Sequence, residues 1–97
     1  FYINSVIEID DNNETQNLIF GNLSGDNTVL IATIYDKNGN VLYRSLGLEN
    51  NKEINKIKFF RELSYGTHKV KVAVTAYDKE KNEKIGTKFA NIQLNVK

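Results

Sequence analysis

The chain has 97 residues, of which 40% are hydrophobic and 26% charged, and its formal net charge is +1. This length suits one folded domain, and the composition is that of a globular protein rather than a disordered one. The balanced charge argues against nucleic-acid binding, and the lack of cysteine excludes disulfides and thiolate metal sites. No apolar run approaches the ~20 residues of a membrane-spanning helix. We therefore expect a single domain over residues 1–97 with no nucleic-acid partner and no membrane insertion.

Short segments rich in β-branched and aromatic residues follow one another along the chain, and turn residues separate them. This spacing predicts an all-β sandwich. Residues 52–63 also fit an amphipathic helix, but their β-branched and aromatic content favours a strand. The seven predicted strands are A (2–9), B (16–23), C (28–35), C′ (41–46), E (53–61), F (67–77) and G (84–96).

Local signals refine three of these strands. The pair Asn38-Gly39 between C and C′ predicts a type I′ hairpin turn, which needs two residues with positive φ. In strand F, alternate residues from Val70 to Val74 are apolar, so they should face the core. In strand G the apolar parity changes near Phe89-Ala90, which predicts a β-bulge there.

The segment that leads into strand F carries a further pattern. Leu63 is followed by Gly66 and His68, and alternating valines then lead to Tyr77 and Asp78. This pattern resembles the corner between strands E and F of bacterial immunoglobulin-like and fibronectin-III-like modules. In that family a corner tyrosine hydrogen-bonds back to the backbone, and the matching position here is His68, whose ring nitrogen can donate the same bond. The resemblance implies a seven-stranded antiparallel sandwich with sheets A-B-E and C′-C-F-G.

The resemblance also implies a class of function. Such modules recur as spacers and adhesive units in multidomain surface proteins and beside the catalytic domains of secreted enzymes. We therefore expect a non-catalytic spacer or protein-interaction module, excised from a longer extracellular or cell-surface protein, whose partners are neighbouring domains or another surface protein. The loops at 24–27 and 78–83 should lie at one end of the sandwich, so Asp26, Asn27, Tyr77 and Asp78 are candidate partner-binding residues.

Catalytic constellations are not supported by the sequence. His68 is the one histidine, and the alternation that buries the valines of strand F turns it inward too. The acids Glu8, Glu53 and Glu62 could be paired for glycoside hydrolysis, but nothing in their spacing singles them out. We predict no catalytic residue and no enzyme activity.

One acidic loop, residues 10–14, leaves two interpretations open. Its carboxylates Asp10, Asp11 and Glu14 are oxygen ligands of the kind that calcium prefers. The simpler interpretation is a solvated loop, because the segment is too polar to be buried. No other cofactor is predicted.

Carbohydrate binding is the alternative function, as an accessory module of a secreted glycan-active enzyme. Sugar rings stack on exposed aromatic faces, and Tyr77 is predicted to point outward from strand F, while Tyr43 and Tyr65 lie near turns. The chain has no tryptophan, and exposed tyrosines in a sheet often pack across strands instead. A glycan is thus the second candidate partner.

Overall fold

A computed structural model describes residues 1–25 and 27–97, and in this part of the chain it contains strands but no helix. No described segment could therefore span a bilayer as a helix. The strands form a three-stranded sheet, β1-β3-β6, and a five-stranded sheet, β2-β8-β7-β4-β5, so the chain is all-β with two sheets. The strands are β1 (Tyr2–Ile3), β2 (Val6–Ile9), β3 (Phe20–Gly21), β4 (Thr28–Tyr35), β5 (Val41–Arg44), β6 (Glu53–Ile54), β7 (Gly66–Asp78) and β8 (Glu83–Val96).

The five-stranded sheet is built around the long strand β7. This strand pairs antiparallel with β4 on one side, from Thr28↔Asp78 to Tyr35↔Lys71, and with β8 on the other side. The predicted strand C coincides with β4. From Lys71 to Asp78, β7 has a partner along both edges, so the backbone groups of this stretch are satisfied within the sheet.

The core lies between the two sheets. Alternate residues of β7 point into it as predicted, and its largest fully buried apolar side chains come from β2, β5, β7 and β8. They are Ile7, Ile9, Leu42, Val72 and Leu94. The opposite face of the five-stranded sheet, called the outer face below, is turned away from the core.

The predicted strand A is two strands in different sheets. Asn4, between β1 and β2, donates through Nδ2 to the carbonyls of Val6 and Asn17 at 3.1 and 2.9 Å, and its Oδ1 accepts from Ile19 N at 2.9 Å. One amide thus supplies the bonds that a continuous ladder would have made, and the chain crosses between sheets. β2 then pairs in parallel with β8, so the larger sheet is mixed and has one strand more than predicted.

Strands β3 and β6 are much shorter than the predicted strands B and E. Beyond them, polar side chains replace backbone partners: Thr15 Oγ1 accepts from Ile57 N at 3.0 Å, and Asn55 Nδ2 donates to Leu18 O at 3.5 Å. Backbone pairing continues in short stretches, through an isolated bridge between Glu14 and Lys58 and through the bond from Asn22 N to Lys52 O at 3.1 Å. The region is extended but irregular.

The hairpin between β4 and β5 lies where the sequence predicts it, but the prediction of a type I′ turn is wrong. Gly39 has φ +85° whereas Asn38 is not among the residues with positive φ. The loop closes through Gly39 N to Asp36 O at 3.1 Å and Asp36 N to Asn40 O at 2.9 Å. This is a three-residue loop whose last residue is a left-handed glycine, a common alternative to the two-residue turn.

The bulge in β8 also lies elsewhere than predicted. Ala76 pairs with Gly86 and Tyr77 with Lys84, so the extra residue is Ile85. Phe89 stays in register opposite Ala73. The change of apolar parity marks an aromatic side chain on the outer face, and not a bulge at Phe89-Ala90.

Candidate interaction surface

The candidate metal-binding loop is held by its own hydrogen bonds. Asp10 Oδ1 accepts from the backbone N–H groups of Asn12 and Glu14 at 2.9 and 3.0 Å, and Glu14 lies 3.4 Å from Lys56 Nζ. Asp11 is exposed. Over residues 1–25 and 27–97, no three His, Cys, Asp or Glu side chains gather into a metal-binding group.

Three of the four candidate partner-binding residues, Asn27, Tyr77 and Asp78, lie at one end of the molecule. Asn27 O accepts from Lys79 N at 2.7 Å, and Asp78 Oδ1 caps the β7–β8 turn by accepting from the N–H groups of Glu80 and Lys81. Tyr77 is half-buried on the outer face. The fourth candidate, Asp26, lies outside the described residues.

An ion pair ties this end to a neighbouring loop. Lys79 Nζ donates to Glu49 Oε1 at 2.7 Å, and both side chains are about half exposed. This hydrogen bond lowers the pKa of Glu49 and raises that of Lys79. The contact fixes the tip of the β7–β8 hairpin against the loop before β6.

The corner at the start of strand β7 combines a left-handed glycine, a packed leucine and a contact between a histidine side chain and the backbone. Gly66 has φ +109°, a conformation that favours glycine, and Leu63 is half-buried against the core. His68 Nε2 lies 2.8 Å from Ser64 O. Because a carbonyl oxygen only accepts, the histidine must carry its proton on Nε2.

The three acids weighed for glycoside hydrolysis are not gathered into a cleft. Glu53 accepts from Asn55 Nδ2 and Tyr2 Oη, both at 2.7 Å, and these bonds lower the pKa of Glu53 while the bond from Tyr2 raises the pKa of the phenol. Glu8 is in β2 of the other sheet, 3.6 Å from Lys97 Nζ, and Glu62 is in an exposed loop. The three carboxylates therefore lie apart, and no two of them face each other across a cleft in the described residues.

Sequence reasoning missed the most exposed aromatic group within a long strand. Phe89, in the middle of β8, is 64% exposed, and Val6 of the neighbouring strand is 42% exposed. Together they border an open groove of about 900 Å³ on the outer face. We call this the Phe89 groove; its lining includes Val6, Tyr35, Lys69, Lys71, Phe89, Asn91 and Gln93.

The rim of the Phe89 groove is basic. Lys71 Nζ lies 5.6 Å from the centroid of the Phe89 ring, a cation–π contact worth about 0.5–1 kcal/mol at an exposed site. Neither Lys71 nor Lys69 has a carboxylate within ion-pairing distance in the part of the chain that the structure describes. The groove therefore has an apolar centre, and among its described lining residues Lys37, Lys69 and Lys71 outnumber the one carboxylate, that of Asp36.

The edge of β8 beside this groove is open. β2 pairs only with Gln93–Val96, and Gln93 N donates to Ser5 O at 2.8 Å. Since backbone groups alternate between the two edges of a strand, the N–H and C=O groups of Thr87, Phe89 and Asn91 point to the same side as those of Gln93. Apart from β7 on the opposite side, no strand among residues 1–25 and 27–97 pairs with this stretch.

A second cavity lies on the core side of the same edge. It measures about 450 Å³ and is bordered by Ile85, Gly86 and Lys88 of β8 and by apolar residues of the core, including Leu30 and Val74. Ile85 is 61% exposed, and a Cβ placed on Gly86 would meet nothing within 4 Å. We call this the Ile85 cleft.

One sequence signal could have found both cavities. Ile85 and Phe89 break the apolar alternation of β8, a break that by itself predicts a bulge at Phe89. Two apolar residues out of phase in an otherwise alternating strand also indicate side chains left on the solvent face.

The Phe89 groove, the Ile85 cleft and the open edge of β8 thus form one continuous surface along a single strand. Comparisons with protein-family models, with curated proteins and with solved structures return no match for this chain. Its functional interpretation rests on the geometry of this surface.

Proposed function

We propose that the chain is an immunoglobulin-like, non-catalytic module of an extracellular bacterial protein, and that it contacts a neighbouring domain or another surface protein through the Phe89 groove. The order β1-β3-β6 corresponds to sheet A-B-E, and β5-β4-β7-β8 corresponds to C′-C-F-G. In this assignment β2 is the second half of strand A. The bond between His68 and Ser64 takes the place of the corner tyrosine bond and supports the same assignment.

The observation that carries the proposal is the exposure of Phe89. Single exposed apolar residues are common on protein surfaces, but Phe89 adjoins exposed Val6 and lies four residues from exposed Ile85. An apolar centre containing an aromatic residue and surrounded by charged residues is the usual anatomy of a protein interface. Covering this ring would remove an exposed apolar surface from water.

Glycan binding is the second candidate, and one arrangement favours it. Asn91 and Gln93 lie beside Phe89 in the same groove, so amide groups adjoin an aromatic face, as sugar recognition requires. However, Lys71 already lies over the Phe89 ring, and a stacking sugar would have to displace it. A protein surface with carboxylates could instead pair with Lys71 and cover the ring edge.

Site-specific photo-crosslinking tests the proposal. A photoreactive phenylalanine analogue is placed at Phe89 in the natural full-length protein, in its own cells. Tyr65, which is 83% exposed at the corner before β7, is the matched control position. We expect a discrete crosslink to a defined protein segment from position 89 and none from position 65. Equal labelling from both positions, or none from position 89, would contradict the proposal.

Thermal melts separate the alternatives. A ligand that prefers the folded state raises the melting temperature. We expect no shift of the wild-type domain with soluble glycans. A glycan-dependent rise that is lost in Phe89→Ser would favour the carbohydrate-binding module instead. Melts in calcium and in EDTA test the loop of Asp10, Asp11 and Glu14 in the same way.

A further inference from the structure

Resting on the proposed protein-interaction function, we propose that the partner contributes an extended acidic segment, which adds as a strand to the open edge of β8 between Lys84 and Asn91. The strand would lie in line with β2 and continue its place in the sheet. Its alternate side chains would enter the Ile85 cleft on one face and cover Phe89 on the other.

The backbone of β8 supplies the first part of the recognition. Thr87, Phe89 and Asn91 direct their N–H and C=O groups to the open edge at every second residue, which is the spacing that an extended partner matches. Strand addition would satisfy these groups with peptide partners in place of water.

The Ile85 cleft supplies the second part. A strand beside Gly86, Lys88 and Ala90 would point every second side chain toward the space between the two sheets. That space is bordered by Leu30 and Val74 of the core, and Gly86 presents no side chain to block it. Apolar residues at alternate positions of the partner would therefore be buried there.

Charge selects the kind of segment. Lys84 and Lys88 are exposed on β8, Lys71 lies over Phe89, and none of the three has a carboxylate within ion-pairing distance in the described residues. Lys88 borders the cleft while Lys71 lies on the outer face, so acidic side chains on either face of an added strand would find a positive partner.

A second copy of this chain is a poorer occupant. In an antiparallel pairing of two β8 edges over this short stretch, the two Lys88 side chains would lie opposite or diagonal to each other on one face. Like charges at such positions destabilise a strand pair. The same lysine that favours an acidic segment therefore discourages self-association.

The chain itself provides a suitable probe. The sequence Ser-Val-Ile-Glu-Ile-Asp-Asp of residues 5–11 is acidic and alternating, and Val6–Ile9 within it already pairs with β8. A capped peptide of this sequence is titrated into the isotope-labelled domain, and a second peptide carries lysine in place of its three acids. With the acidic peptide we expect backbone amide shifts at Thr87, Phe89 and Asn91, and much weaker binding of the lysine peptide.

Variants of the domain sharpen the experiment. Thr87→Pro removes one N–H from the open edge but none from the ladder with β7, and it should abolish the shifts; Thr87→Val keeps that N–H and should bind. Lys88→Glu should weaken binding of the acidic peptide about fivefold and improve binding of the lysine peptide. Melting temperatures and the dispersion of the amide spectrum show that each variant is folded.

Three results would overturn strand addition. The first is that the acidic peptide causes no amide shifts at millimolar concentration. The second is that folded Thr87→Pro shows the same amide shifts as the wild-type domain. The third is that the domain dimerises through β8. None of them contradicts the proposed function, which is tested separately by the crosslinks from positions 89 and 65 and by the melts with soluble glycans. A crosslink at Phe89 together with an unresponsive edge would mean that the partner docks on the outer face without adding a strand.

Discussion

The two sheets are stabilised in different ways. The five-stranded sheet has long, regular ladders, above all the antiparallel pair of β7 and β8. The three-stranded sheet consists of two-residue strands, and asparagine side chains make many of the surrounding hydrogen bonds. Regular hydrophobic alternation is thus visible where backbone pairs with backbone, and it fades where side-chain amides replace the ladder.

Asn22 is the clearest case in the irregular region. Its side chain is fully buried, donates to Thr28 O and Leu48 O at 3.0 and 2.8 Å, and accepts from Ser24 N at 2.8 Å. One amide thereby ties the segment after β3 to the start of β4 and to Leu48, which is itself joined to β4 by an isolated bridge with Leu30. A buried polar group of this kind contributes to stability only while its bonds are made.

The largest expected effect is in the regular sheet. Leu94→Ala removes a side chain that is 0% exposed, and it should lower the free energy of unfolding by about 3–4 kcal/mol, because burial is lost and a cavity remains. Urea denaturation measures this change. Leu46→Ala, at a 90% exposed leucine, is the control and should stay within about 0.5 kcal/mol of wild type. Similar losses in both variants would contradict the assignment of the core.

The irregular region should respond nearly as strongly to the loss of one amide. Asn22→Ala should lower the free energy of unfolding by about 2–3 kcal/mol, because buried backbone groups lose their partner. Asn12→Ala, at an exposed residue of the acidic loop, is the control. If both variants unfold at the same urea concentration, side-chain amides do not stabilise this region.

A smaller change separates hydrogen bonding from backbone strain. Asn13 has φ +64°, donates to Arg61 O at 2.6 Å and accepts from Leu63 N at 3.2 Å. Asn13→Ala should cost about 2 kcal/mol, since it loses these bonds and keeps a side chain at positive φ. Asn13→Gly should be about 1 kcal/mol less destabilising. Equal stabilities of the two variants would show that the conformation adds no cost.

The smallest effect concerns the β4–β5 hairpin. Hydrogen bonds from the side chain and backbone of Asn40 hold the pKa of Asp36 below its ordinary value of 3.8. A lowered pKa in the folded state means that the contribution to stability is present above pH 3.8 and lost as the pH falls through the lower folded-state pKa. The amide signals of Asn38 and Asn40 should titrate with a midpoint below 3.8, and Asp36→Asn should abolish the titration. A midpoint at or above 3.8 would contradict this assignment.

The sequence predicted the parts of the fold that depend on side-chain alternation. Strand β4 matches its predicted bounds, and the valines of β7 face the core. The site of the β4–β5 hairpin was correct as well, because Asn-Gly marks a turn whichever loop type forms.

What the sequence did not predict depends on contacts distant along the chain. The division of strand A at Asn4 requires that Asn17 and Ile19 lie beside it, and the short β3 and β6 require Thr15 to meet Ile57. An asparagine in a strand pattern does not reveal which backbone group it will bind. The exposed position of Phe89 was missed for a related reason, since one parity change can mean either a bulge or an outward aromatic.

The parallel pair of β2 and β8 has a mechanical consequence. Tension that reaches the chain just before Val6 and just after Val96 pulls β2 toward its own start and β8 toward its own end, along the axis of their ladder. The hydrogen bonds between Val6–Ile9 and Gln93–Val96 are therefore loaded in shear, and they must break together instead of one at a time. Under such a load, the two ends of the pair would separate little until this short ladder yields.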